Sequence, residues 1–361
     1  MAPSRRHPLG HGQGTPDRAA SEVRSMLVIH QGALGDFILA LPALMTLRKS
    51  FPQAKPVIMG YPGILELVEK RFYAEEIVSV DQRGVASFFV PGGDLDPGLS
   101  QYFGTFDLIV VFGKEAKGSI LSNLRRVCQG QIIHLNSFPP LNERIHLTDH
   151  LLRELRRNHI AGEDQDPHLF LSHSDQVWGR SYCKKKGLTE DEKAKAIVLH
   201  PGSGSRRKVW PVERFIDLVH HFQGHASSRL LIVLGPAEAG EIQEAFENMQ
   251  WERGATAPVL IKGLSLIGLA SVIEGCRVFI GNDSGITHMA AAVSAPTVAI
   301  FGPTDPKRWA PRGKHVAVVR REVSCAPCSR ERLSQCQDTE CLKGVKVGDV
   351  LAALSSLRVS R

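Results

Sequence analysis

Short apolar runs alternate with amphipathic stretches along almost the whole chain. Residues 26–30 (MLVIH), 57–60, 77–80, 106–112 (FDLIVVF) and 131–135 read as strands, being apolar, rich in β-branched residues and bounded by polar turns. Between them, residues 37–49 carry Phe37, Ile38, Leu41, Leu44 and Met45 at helical spacing, with Pro42 in the first turns. Residues 64–70 and 145–158 read as further helices. The Gly/Pro/Asp stretch 92–100 reads as a surface loop.

The alternation then restarts. Helices are expected at 175–186, 212–222, 238–249, 266–274, 287–293 and 347–357, and strands at 196–200, 230–234, 259–261, 278–280, 297–301 and 315–319. Strands that alternate with helices through short loops imply parallel sheets covered on both faces. Gly162, Pro167 and several acids place a hinge near residues 160–174. The loops QGALGD, HPGSGSRRK, GPAE, GNDSG and FGPTD each follow an expected strand. Ligands of open parallel sheets bind outside the strands' carboxyl ends. The expected arrangement is therefore two Rossmann-like domains with parallel sheets facing one interdomain cleft.

The length of 361 residues accommodates two domains, and 43% hydrophobic with 22% charged residues are globular values. A net charge of +7 suits a phosphate-rich partner. No interleaved aromatic and basic pattern points to nucleic acid, so none is expected as a partner. No apolar run approaches the ~20 residues of a membrane span. Residues 1–25, rich in Gly, Pro, Arg and His without an apolar centre, read as a disordered basic tail rather than a secretory signal, with a membrane-surface tether as the alternative. Seven cysteines and no signal peptide indicate a reducing cytoplasm.

Residues 278–306 carry the densest chemistry. Gly281 to Gly285 is turn sequence feeding a helix of small residues, with Ser284 or Thr287 available as N-cap. Exposed N–H groups and the positive end of the dipole make such a helix start an anion site, suited to a diphosphate. His288 sits one residue inside the helix, where it can meet a phosphate or a sugar hydroxyl. An ordinary capped crossover is the other reading of the same residues. In the first turn, Asp36 is either a general base facing the cleft or the cap of the helix that follows it.

Taken together, QGALGD, HPGSGSRRKVWPVERF, GPAE and GNDSGITHMAAAVSAPTVAIFGPTDP resemble the heptosyltransferase family of bacterial glycosyltransferases, from about Met26 to the C-terminus. The resemblance implies a GT-B fold, with an acceptor-binding domain at 26–165, a nucleotide-sugar domain at 166–345 and a C-terminal helix in 346–361 that packs back toward the first domain. It implies inverting transfer of a sugar, heptose from ADP-heptose being the expected donor, onto a lipopolysaccharide core or related glycolipid. No cofactor is required in this reading. The location implied is the cytoplasm, with peripheral contact at the inner face of the membrane. Asp36 becomes the general base and Lys208 the cation for the leaving diphosphate. Ser203, and less firmly Ser205, offer hydroxyls to phosphate. Glu238 resembles the family's ribose-binding acid, a helix-start charge being the alternative. Asp283 is assigned to sugar hydroxyls or to holding Lys208. Ser284, Gly285, Thr287 and His288 supply phosphate donors. Gly32 and Gly35 shape the first loop at the cleft, and Gly302, Thr304 and Asp305 the second.

Arg206 and Arg207 read as solvated neighbours of Lys208, and Lys114, Lys117, Arg125 and Arg126 as either acceptor-phosphate contacts or a basic face. No catalytic metal is called for. The spacing Cys325-x2-Cys328-x7-Cys336-x4-Cys341 is compatible with a structural zinc, or with unligated thiols. A same-fold nucleotide-sugar epimerase and a non-catalytic nucleotide-sugar binder are the competing functions. Turnover without acceptor marks the first, and binding without transfer the second.

Overall fold

The computed structural model describes residues 23–114, 120–140, 142–223, 229–235, 240–249 and 256–357. Residues 1–22 of the expected tail, Lys117 and Glu238 lie outside them; the tail's last residues are ordered, Val23 being buried in the core and Ser25 starting the first strand. The strands are β1 (Ser25–His30), β2 (Lys55–Gly60), β3 (Glu76–Ser79), β4 (Leu108–Gly113), β5 (Gln131–Asn136), β6 (Ile197–His200), β7 (Leu230–Leu234), β8 (Val259–Lys262), β9 (Val278–Asn282), β10 (Thr297–Phe301) and β11 (Val316–Arg320). They form two sheets, ordered β3-β2-β1-β4-β5 and β11-β10-β9-β6-β7-β8, with every pairing parallel. Each is a doubly wound sheet, so each has one point where the strand order reverses: between β1 and β4, and between β6 and β9.

The helices of eight residues or more are α1 (Leu34–Ser50), α2 (Pro97–Gly104), α3 (Ile120–Val127), α4 (Leu147–Arg157), α5 (His173–Lys185), α6 (Val212–Gln223), α7 (Leu266–Ile273), α8 (Gly285–Ala292) and α9 (Val347–Ser356). Helix α1 is buried from Phe37 through Leu47. Such a helix must be apolar all round, because it lies between its own sheet and α8 of the other. One apolar cluster runs from Met26 and Val28 through α1 and α4 to Val198, Ala270, Phe279 and Met289, and so spans both sheets. Two further clusters lie on the outer faces, around Phe88 and Phe103 in the first half and around Trp210 and Phe215 in the second.

Several expectations change. The helix here is Pro62–Leu65, so only Ile64 and Leu65 of the expected 64–70 are helical, and Lys70 has φ 53°, which a continuing helix does not allow. The expected loop 92–100 instead starts α2: Asp96 caps it by accepting from Leu99 N at 2.9 Å, and Pro97 takes the first position. Helix α3 has no counterpart among the expected elements. Helix α1 begins at Leu34, so Pro42 falls in the helix interior rather than its first turns. Helix α9 packs on β10, β11 and α6 of the second sheet, not toward the first domain.

Candidate active site

The loops after β1, β6, β9 and β10 meet where the two sheets face each other. At the end of β1, His30 is buried against Phe37 and Phe112, with ring centroids 5.2 and 5.4 Å away. Its Nδ1 accepts from Gly32 N at 3.2 Å. A Cβ on Gly32 would lie 2.6 Å from His30 Cε1, so Gly32 serves the turn. Ala33 is the N-cap residue of α1 and makes no side-chain cap bond, and Asp36 follows at the third helical position. From there its carboxylate takes the Ala33 N–H, as the third-position acid of a capping box does. Burial raises the Asp36 pKa above its ordinary value. The Ala33 bond and the Lys208 charge oppose that rise, and Asp283 adds to it.

On the opposite side, Asn282, a turn residue by sequence, organises the site. Its amide donates to Pro201 O at 2.7 Å and Gly202 O at 3.3 Å, and its Oδ1 accepts from Trp210 N at 3.0 Å. It thereby fixes the loop that carries Lys208. Ser284 is the N-cap of α8 and accepts from Thr287 N at 3.3 Å. The Thr287 hydroxyl is fully buried and donates to Asn282 O, so it is committed within the protein rather than offered to phosphate. Gly285 and Ile286 remain as first-turn N–H donors. Burial lowers the His288 pKa to about 4, so its ring is neutral, and Nδ1 has no partner among the described residues.

Lys208 closes a single 3-10 turn at Arg206–Lys208. Its ammonium is 2.9 Å from Asp283 Oδ2, which also accepts from Thr304 Oγ1. Ser203 donates its hydroxyl to Asp283 O at 2.9 Å. Arg207 turns away, donating to Ser334 O at 2.7 Å and Cys336 O at 3.2 Å. Arg206 lines a neighbouring cavity of about 400 Å³ with Ser203, Trp210, Glu213 and Glu241.

These groups surround a cavity of about 370 Å³. Ala33, Gly35, Asp36 and Leu39 line it from the first half; Ser203, Ser205, Lys208, Asp283, Ser284, Gly285, His288, Thr304 and Trp309 line it from the second. The helix starts touch across it. A Cβ on Gly285 would lie 2.7 Å from Leu34 Cβ, and one on Gly35 would lie 3.2 Å from His288 Cδ2.

Two expected cleft residues face elsewhere. Gly302 packs under Leu342, where a Cβ would meet Cγ at 2.5 Å. Asp305 caps Pro306–Trp309 and pairs with Arg144, whose Nε and Nη2 reach its carboxylate at 2.8 and 3.0 Å. Arg312 with Asp149 and Arg71 with Asp175 are further forked pairs between the halves. No local sequence signal marks these arginines, because their partners are more than a hundred residues away. Among the candidate acceptor cations, Lys114 lies 4.9 Å from the Phe138 ring centroid and Arg126 donates to Gly93 O at 3.1 Å. Arg125 is exposed.

The four C-terminal cysteines are free. Cys328 Sγ is 3.3 Å from Cys325 O and Cys336 Sγ 3.1 Å from Asp338 O. Burial, with the neighbouring thiols, raises the Cys341 pKa to about 11. Among the described residues, no three His, Cys, Asp or Glu side chains converge in a metal-holding group. No helix among them is long and apolar enough to cross a membrane.

Residues 163–337 match the family model described as glycosyltransferase family 9 (heptosyltransferase). The chain is 23% identical over 328 residues to lipooligosaccharide heptosyltransferase 2 of Campylobacter jejuni, covering 90% of this chain and 95% of that one. It is 31% identical over 144 residues to lipopolysaccharide heptosyltransferase 1 of Pseudomonas aeruginosa, an alignment that covers 39% of this chain and 38% of that protein. The solved structure of the Escherichia coli ADP-heptose LPS heptosyltransferase II superposes with a TM-score of 0.70 at 17% identity, covering 92% of this chain and 98% of that one. The two facing parallel sheets thus have the GT-B fold.

Proposed function

Because the chain belongs to glycosyltransferase family 9, the heptosyltransferases, we propose that it transfers heptose from ADP-heptose to a lipopolysaccharide-core acceptor with inversion at the anomeric carbon. One observation carries the residue assignment: Asp36 from the first half and the Lys208–Asp283 pair from the second line one cavity, at the reversal point of each sheet. Two domains face each other there, the first for the acceptor and the second for the nucleotide sugar. The division near residues 160–174 belongs to the same proposal.

The acceptor hydroxyl attacks the anomeric carbon as the bond to the diphosphate breaks. Asp36 takes the hydroxyl proton. Burial makes it a stronger base than a solvated carboxylate, so more of the proton is transferred in the transition state. On the leaving side, negative charge grows on the diphosphate. The Lys208 ammonium has three donors, one of which is held by Asp283, leaving two for phosphate oxygens. The Gly285 and Ile286 N–H groups at the start of α8 complete the cradle. Both protein bonds to Asp283 fall on Oδ2, so Oδ1 is the oxygen available to a sugar hydroxyl. The cavity beside Trp210 and Glu213 takes the nucleoside. The net charge of +7 suits an anionic acceptor.

A thermal-shift panel of ADP, UDP, GDP and CMP, followed by transfer assays with the matching sugars, tests this reading. The expected result is stabilisation by ADP and acceptor-dependent turnover of ADP-heptose. Stabilisation by UDP but not ADP would overturn the donor assignment. Donor turnover without acceptor would overturn the transfer.

A further inference from the structure

A separate cavity of about 500 Å³ is lined by Arg144, Lys307, Arg320, Glu322 and the 323–327 segment. It lies at the carboxyl ends of β10 and β11, on the same edge of the sheet as the catalytic cavity. The Thr304–Asp305 turn stands between the two: Thr304 faces Lys208's partner Asp283, and Asp305 faces Arg144. Both halves of the protein contribute cations, Arg144 from the first and Lys307 and Arg320 from the second.

The charges at this pocket do not cancel. Arg144 makes a forked bond to Asp305, which is buried and also feels the Arg320 charge. Three cations therefore meet two carboxylates, Asp305 and Glu322, and a positive charge is left over. Arg320 also has a buried Nε–H with no acceptor among the described residues. A guanidinium has only donors, and an unmatched buried one is costly unless an acceptor arrives. Phosphate and carboxylate oxygens are the acceptors a guanidinium fork fits best.

We propose that Arg144, Lys307 and Arg320 form an anion subsite that holds a phosphate or carboxylate substituent of the acceptor while its hydroxyl lies at Asp36. The assignment rests on the transfer reading above. The donor diphosphate is already matched at Lys208 on the other side of the Thr304–Asp305 turn, so it leaves these cations without a ligand. Because the pocket is lined from both halves, an anion held there also bridges them. The site thus selects among acceptors by a charge remote from the reacting hydroxyl, and it binds that charge equally in the ground and transition states.

The test uses Lys307→Gln combined with Arg320→Gln, which leaves the Arg144–Asp305 pair in place. Transfer is measured with an acceptor that carries the anionic group and with the same acceptor after its removal. The expected result is a KM raised on the order of tenfold or more for the anionic acceptor, with kcat and ADP affinity unchanged and no change for the stripped acceptor. Equal losses for both acceptors, or none for either, would overturn the subsite.

Titration with inorganic phosphate separates this proposal from the transfer reading. Binding that survives Lys208→Ala but is lost when Lys208→Ala is combined with the double variant supports the subsite even if no transfer is found. Undiminished phosphate binding in the double variant overturns it. Sedimentation with vesicles of anionic phospholipid gives the last arm. Vesicle binding lost in the double variant with acceptor KM unchanged would make the ligand a lipid head group and overturn the acceptor assignment.

Discussion

Lys208 Nζ lies 2.9 Å from Asp283 Oδ2, in the cavity that Asp36 enters from the opposite sheet. The carboxylate is almost fully buried and the ammonium about a quarter exposed, so the pair is anchored at one end and accessible at the other. Lys208→Ala should weaken nucleoside diphosphate about tenfold to a hundredfold, the worth of a charged hydrogen bond, and the bare nucleoside far less. Turnover should fall further, since charge grows on the leaving group. Lys208→Arg should recover part of the binding at best, because the planar fork puts its charge elsewhere. Calorimetric titration of both ligands decides it. Equal losses for the two would remove Lys208 from the diphosphate site.

Asp36→Asn keeps the shape of the side chain and loses the base. Turnover should fall by roughly 10²–10⁴, with ADP affinity nearly unchanged. Stability should move the other way. Burial is the largest influence on Asp36 and raises its folded-state pKa, so the fold favours the neutral form. The associated stability is present below the unfolded pKa and lost as pH rises through the folded one. At neutral pH the neutral amide should therefore raise Tm relative to wild type. An inactive variant that melts below wild type at neutral pH would show that the Ala33 bond outweighs the burial.

Four imidazoles should set the first step of acid unfolding. Burial lowers the pKa of His30, His146, His200 and His288 from 6.5 to about 4. Between those values the unfolded chain binds protons that the folded one does not, so stability falls as pH falls through that window. Each contributes on the order of 1–3 kcal/mol. Asp149, Asp175 and Asp305 are held below the ordinary carboxylate pKa of 3.8 by their arginine partners, so their contribution disappears later, in more acidic solution. The urea midpoint should drop between about pH 7 and about pH 5, before the ion pairs titrate. A midpoint unchanged over that interval would contradict the neutral assignment of these rings.

Gly285→Ala probes the contact between the two helix starts. Its Cβ would meet Leu34 Cβ at 2.7 Å, so the halves must separate slightly. Overpacking of this kind costs about 1–3 kcal/mol. Misplacing Asp36 against the donor by a fraction of an ångström should lower kcat about tenfold or more, with less effect on ADP affinity. Wild-type kcat in this variant would mean that the helix starts part during turnover.

Strands and site loops were legible for a common reason. A strand buried on both faces has to be a continuous apolar run, as at Leu108–Gly113, and the loop after it is where a ligand reaches the sheet. That reasoning places their loops at one cleft; the resemblance to heptosyltransferases singles out Lys208 and Asp283 and favours base over cap for Asp36, and these three line one cavity with His288. It failed where one composition serves two structures. Asp96 and Pro97 are turn residues, and they are equally the residues that start a helix. It failed for Thr287 and Gly302 because whether a polar or small residue faces the ligand or its own scaffold depends on packing behind the loop. Asn282 and Arg144 were missed because each acts through a distant segment: Asn282 through the 201–210 loop, Arg144 through Asp305.

The apolar cluster that runs without a break from Met26 to Met289 has a consequence for the chain as an object that can be cut. Leu169 belongs to that cluster, and its N–H donates to Ala292 O at 2.9 Å, so even the connecting segment is seated in it. A polypeptide ending near residue 160 would carry α1 with one flank uncovered, and its complement would carry α8 in the same condition. Neither piece would be a finished molecule. Synthesised separately, the two would have in each other the one surface that fits, and noncovalent reassembly of the fragments would rebuild the cavity at their seam.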